Sequence, residues 1–192
     1  MARSAYTAKA APRIPDELKP RLLPLLETIS ELNRQIYTFD KAIENVARQR
    51  YPETVRLRQI SGVGPVTALQ YVLTIGDPNR FQHSRDVGAY LGLTPGRRQS
   101  GDVDPQLRIT KARNRRLRSL LVQCAQYLMG RFGPDTDLKR WGARMAQRGG
   151  KNAKKRAIVA VARKLAVLLH RLWVTGDTYQ PLYNTMACPQ SI

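Results

Sequence analysis

The stretch RRQSGDVDPQLRITKARNRRLRSLL, Arg97 to Leu121, sets two acids, Asp102 and Asp104, among eight basic residues. One hydroxyl, that of Ser100, sits beside Gly101 in front of the basic run. A serine hydroxyl is a weak nucleophile until a base or a metal activates it. Arg97, Arg98 and Arg108 are the groups here that could stabilise a charged phosphoryl transition state. No obvious base lies nearby in the sequence. The residues alone therefore leave two readings of Ser100: an ordinary loop serine, or a nucleophile held next to something strongly negative.

A second stretch, ISGVGPVTA, brackets Val63 with Gly62 and Gly64 and follows them with Pro65. Proline suits the first position of a helix, where no N–H is needed. Glycines allow positive φ and close approach of a backbone. The pattern resembles a helix-hairpin-helix, in which the second helix aims its free N–H groups at a phosphate. Such a contact carries no base identity. Without other support, the same pattern also fits a hairpin whose glycines serve packing.

Lys111, Arg113, Arg115 and Arg116, with Arg108 and Arg118, crowd the expected start of one helix. From Leu138 to Gly176 there is no acid at all, while Lys139, Arg140, Lys151, Lys154 and Lys155 accumulate with other bases. A solvated face normally mixes signs. Two one-sign regions in one chain read as a binding surface.

Composition points the same way. The 192 residues hold 33 Lys and Arg against 14 Asp and Glu, a formal charge of +19. A polyanion relieves the self-repulsion of such a body, so nucleic acid is the default partner. No membrane role is expected. The most apolar segment, AIVAVARKLAVLLHRLW, is interrupted by Arg163, Lys164 and His170, and the N-terminus has no apolar signal core. Cys124 and Cys188 lie far apart, as do His83 and His170, so no metal site is expected in this chain and both thiols read as reduced, in a cytoplasmic protein.

The elements that must position these groups are helical. Residues 1–15 read as a disordered basic tail. Leu22, Leu25, Ile29, Leu32, Ile36, Phe39, Ile43 and Val46 then alternate spacings of three and four. That seam predicts a coiled-coil helix over 16–50, firm from about Leu25 because Pro20 and Pro24 suit only first turns. A single amphipathic helix on the core is the other reading. Further helices are predicted over Thr54–Ile60, from Pro65, from a Ser84 cap to about Leu91, and over Thr110–Met129, Thr136–Gln147 and Ala153–Trp173. The class is all-α, with a short β-hairpin possible near 92–109. Residues 51–183 form the helical domain, and 184–192 a flexible tail.

Four blocks occur in order: ISGVGPVTALQYVLTIGDPNRF, AYLGLTPGRRQSG, ITKARNRRLRSLLVQCA and GKNAKKRAIVAVARKLAVLLHRLW. Together they resemble the C-terminal domain of the IS-one-ten (Piv-like, DEDD-type) insertion-sequence transposases, over about residues 20–183. The resemblance implies DNA as the partner, in some members with a structured guide RNA, and a site near the bacterial nucleoid. It implies that the serine of the SG element, Ser100, attacks a DNA phosphodiester and forms a covalent serine–DNA intermediate. It also implies Mg²⁺, held in the family by four carboxylates of a domain ahead of the coiled coil. The chain starts almost at the coiled coil, and its own acids, such as Asp16, Glu27 and Glu44, make no such tetrad. The expectation is a portion of a recombinase, self-associating through its coiled coil, that binds nucleic acid and is inactive or nearly so alone. A non-catalytic helix-hairpin-helix protein, binding DNA or RNA with an inert Ser100, is the alternative.

Overall fold

A computed structural model describes residues 8–98 and 107–186, the last two by backbone only. It divides into two units, Met1–Gln49 and Arg50–Ile192.

In the first unit, 3-10 turns at Ala11–Arg13 and Asp16–Leu18 lead into one long helix, α1 (Lys19–Arg50). The helix starts six residues before the expected Leu25. Pro20 falls in the first turn, where N–H groups are unpaired anyway, and Pro24 removes only one bond close to that end. The seam residues Leu22, Leu25, Ile29, Leu32, Ile36, Phe39 and Val46 are all exposed.

In the second unit the helices are α2 (Glu53–Leu57), α3 (Pro65–Ile75), α4 (Asp86–Tyr90), α5 (Arg115–Met129), α6 (Asp137–Gln147), α7 (Ala153–Thr175) and α8 (Tyr183–Met186). The class is all-α: among the described residues the only β-type pairing is an isolated bridge, Pro95 to Ile109. Gly96 N–H donates to the Arg108 carbonyl and Thr110 N–H to that of Thr94, both at 2.9 Å, and these bonds tie together the described ends of the segment where a hairpin was possible.

α7 is the axis of the unit. Its spacing of Ala157, Val161, Leu165, Ala166, Leu169 and Leu172 buries one face, and α2, α4, α5 and α6 pack around it. Small residues let neighbours close in: a Cβ on Gly142 would run into Met129 and Val161. The Tyr71 hydroxyl, fully buried, donates to the Ala166 carbonyl at 2.7 Å and ties α3 to the axis.

Two further boundaries differ from expectation, each for a local reason. α5 begins at Arg115, not Thr110. Lys111 and Arg113 both have φ +57°, which breaks the helical path, and the Asn114 side chain accepts the Leu117 N–H as a cap. α4 is short and carries no side-chain cap. Ser84, expected to cap it, places its hydroxyl 3.0 Å from His170 Nδ1 instead. His170 Nε2 lies 2.8 Å from the Pro78 carbonyl, which can only accept, so Nε2 donates to it. His170 is thus a satisfied core histidine, 1% exposed.

Candidate functional site

Three helix starts in the second unit share one electrostatic peculiarity. A helix N-terminus carries positive charge from its aligned peptide dipoles, so acids are favoured in the first turn and bases are not. α3, α5 and α7 have no acid there. α5 opens instead with Arg115 and Arg116, and α7 has Lys154, Lys155 and Arg156 in its first turn. α6 shows the ordinary arrangement, with a Thr136 cap and Asp137 at its first position.

The α3 start is the ISGVGPVTA segment. Gly62 has φ +87°, and a Cβ there would lie 2.7 Å from the Tyr127 ring, so only glycine fits. Gly64 precedes the helix with no side-chain cap, and a Cβ on it would meet nothing within 4 Å, so the space before the helix is open. Val63, expected among the contact residues, is 5% exposed, and its N–H donates to the Ile60 carbonyl. Its side chain anchors the turn in the core rather than facing outward.

The α5 start is held by a buried base. Arg118, grouped with the exposed cations by its sequence position, is 9% exposed. Its Nη1 donates to the Leu91 carbonyl at 3.0 Å and the Ala112 carbonyl at 2.8 Å. Lys111 N–H donates to the Gly92 carbonyl at 3.1 Å. Gly92 has φ +65°, and a Cβ on it would collide with the backbone of Ala112. The loop is therefore pinned from both sides, and it displays Lys111 and Arg113 from strained left-handed positions. Arg97, Arg98, Arg108, Lys111, Arg113, Arg115 and Arg116 are all exposed. Arg80 and Arg113 each lie 4.7 Å from the centre of the Tyr90 ring.

The α7 start follows Gly149 (φ +76°), Gly150 (φ +86°) and Asn152 (φ +66°), a run of left-handed residues that presents Lys151, Lys154 and Lys155 to solvent. The Asn152 side chain makes no cap bond. Other bases of the acid-free region have structural partners. Lys139 Nζ donates to the Gly130 and Gly133 carbonyls at 3.1 and 2.6 Å, and Arg140 pairs with Asp135 at 2.6 Å.

A groove lies beside α6 and α7, closed by residues 177–184, with a volume of about 1180 Å³. Arg140, Arg144, Arg163, Lys164 and Arg171 line it with Trp141, Tyr179 and Tyr183. Lys164 Nζ sits 4.1 Å over the Trp141 ring. Burial, and then repulsion from Arg144, lower the Lys164 pKa below its ordinary value. The sequence flagged these cations but not the rings. Trp141 and Tyr183 are 42 positions apart, and no local pattern joins them.

Ser100 lies outside the described residues, as do Asp102 and Asp104. Among the described residues no three His, Cys, Asp or Glu side chains gather where they could hold a metal ion. No helix among them is long and apolar enough to cross a membrane.

Residues 55–141 match the family model described as the transposase IS116/IS110/IS902 family. The matched span takes in the α3 and α5 starts and ends at Trp141. Among similar proteins, the transposase for insertion sequence element IS1111A of Coxiella burnetii is 33% identical over 85% of this chain and 45% of its own length. The transposase for IS1328 of Yersinia enterocolitica is 33% identical over 69% of this chain and 41% of its own. The pilin gene-inverting protein of Moraxella lacunata is 30% identical over 74% and 42%. The chain thus spans less than half the length of each of these relatives. Four ordered blocks, a matched domain and relatives aligned over most of this chain agree: residues 55–141 carry a transposase domain of the IS116/IS110/IS902 family.

Proposed function

We propose that this chain is the nucleic-acid-binding, serine-bearing part of a DNA transposase. The observation that carries the reading is the set of helix starts, two of them with bases where an isolated helix favours acids. An arrangement that disfavours the free protein is relieved when phosphates sit on those starts, each satisfying free N–H groups and neighbouring cations together. The turn before α3 acts as a helix-hairpin-helix through Gly62 and Gly64. Lys111, Arg113, Arg115 and Arg116 serve the second phosphate track, and Lys151, Lys154 and Lys155 the third. These contacts position a duplex without reading its sequence, and a structured guide RNA would meet the same surface. α1 joins two copies through its exposed seam, as a coiled coil.

Ser100 is the proposed nucleophile. Its Oγ attacks a DNA phosphorus, its proton leaves to a base, and the departing strand carries away the displaced oxygen as a hydroxyl. The serine ester then returns the phosphorus to a new strand hydroxyl. Arg97, Arg98 and Arg108 offset the charge gained in each transfer. Mg²⁺ belongs to the family chemistry, but the described residues gather no carboxylate set that fits it. That same observation favours one second reading, a binding-only protein with an inert Ser100.

Trapping decides between them. The chain joined to a family domain carrying the carboxylates is incubated with DNA and Mg²⁺ and run on a denaturing gel. A covalent adduct that Ser100→Ala abolishes, with duplex binding nearly unchanged, is expected. An adduct that persists in Ser100→Ala removes Ser100 from the chemistry and leaves the binding-only reading.

A further inference from the structure

The groove beside α6 and α7 differs in kind from the three helix starts. A phosphate needs cations and N–H groups, and it gains nothing from a wall of rings. This groove offers both. Five cations, Arg140, Arg144, Arg163, Lys164 and Arg171, face two acids, Asp137 and Asp177, and one of those acids already accepts the Asn184 N–H at 2.8 Å. Between the cations stand Trp141, Tyr179 and Tyr183, with Leu138, Val167 and Leu168 beside them. Tyr183 is 58% exposed. A duplex stacks its bases on one another and turns only their edges outward, so its base faces are closed to these rings. An unpaired strand leaves base faces open, and a cationic groove with aromatic platforms is the composition that holds single strands.

We infer that this groove takes an unpaired segment of DNA strand, stacking its bases on Tyr183 and Trp141 while Arg144, Lys164 and Arg171 follow its phosphates. The assignment rests on the nucleic-acid reading above, and it gives the groove a separate task. The helix starts hold duplex; the groove holds strand that has come out of one. Cutting and rejoining releases such segments. Burial first, and then repulsion from Arg144, lower the proton affinity of Lys164, and an entering phosphate would relieve that repulsion.

The test uses the two tryptophans separately. Trp173→Phe leaves Trp141 as the only tryptophan of the chain. In that protein, oligo-dT is expected to quench Trp141 emission on binding, and a duplex at equal bound fraction is expected to leave it unchanged. Tyr183→Ala, at an exposed ring outside the core, is expected to weaken oligo-dT about five- to 150-fold, the range of one lost base stack, while duplex affinity stays within twofold. Duplex binding with no strand quench, or equal losses for strand and duplex in Tyr183→Ala, would overturn the groove assignment alone. Oligo-U quenching more tightly than oligo-dT would overturn its assignment to DNA. A quench that appears only once residues 185–192 are removed would give the groove to the chain's own C-terminus instead. Failure of both strand and duplex to bind would sink the nucleic-acid reading itself.

Discussion

Arg118 shows how little a residue's type says about its role. It sits in a run of six bases between Arg108 and Arg118, yet its guanidinium is spent on two backbone carbonyls in the core. No carboxylate is needed, because the carbonyls of Leu91 and Ala112 are themselves strong acceptors whose burial without a donor would be costly. Arg118→Met is expected to strand them and to destabilise the chain by about 1–3 kcal/mol, read as a lower urea midpoint at unchanged slope. Arg115→Met, three residues earlier and exposed, is expected to leave the midpoint within about 0.5 kcal/mol. Equal effects of the two would mean that Arg118 is not the clamp described.

At the scale of elements, helix starts and helix faces make opposite bargains with solvent. Arg115→Glu places an acid at the positive end of α5. It is expected to stabilise the free chain by about 0.3–1 kcal/mol and to weaken DNA binding at the same time. Thermal unfolding and anisotropy on one protein preparation read both. A variant that gains stability and keeps its affinity would take that helix start out of the interface. α1 is the other case. Its exposed residues at three-four spacing are an apolar stripe that water disfavours, and the proposed pairing with a second copy would cover it. Ile36→Asp puts a charge in the middle of that stripe and is expected to dissociate the assembly in sedimentation. A wild-type chain that stays monomeric at high concentration would show that the stripe is covered some other way.

For the whole molecule, the surplus of 19 positive charges is a statement about salt. If six to ten phosphates are neutralised, released counterions should make binding fall about 10³–10⁵-fold between 50 and 200 mM salt. A log–log slope near zero would contradict a phosphate-dominated interface. The slope should shrink by about one for each of Lys111, Lys154 and Lys155 changed to alanine, since each is expected to meet one phosphate.

What the chain settled by sequence alone were the features that repeat locally. Apolar residues at three-four spacing produced α1 and α7 nearly where they stand, and Pro65 after Gly64 marked the start of α3, because helix periodicity and first-turn chemistry act within a few residues. The acid-free basic runs were legible for the same reason. Tertiary structure decided what those runs do. It drew Arg118 and Lys139 inward to backbone carbonyls, turned Val63 into the core, and took Ser84 away from its cap to His170, 86 residues on. It shortened α5 through two left-handed residues that no propensity favours. It also set Trp141, Tyr179 and Tyr183 around one basic groove, because α6 packs against α7 and the start of α6 holds residues 181–184 through the Asp137 bonds to Pro181 and Asn184.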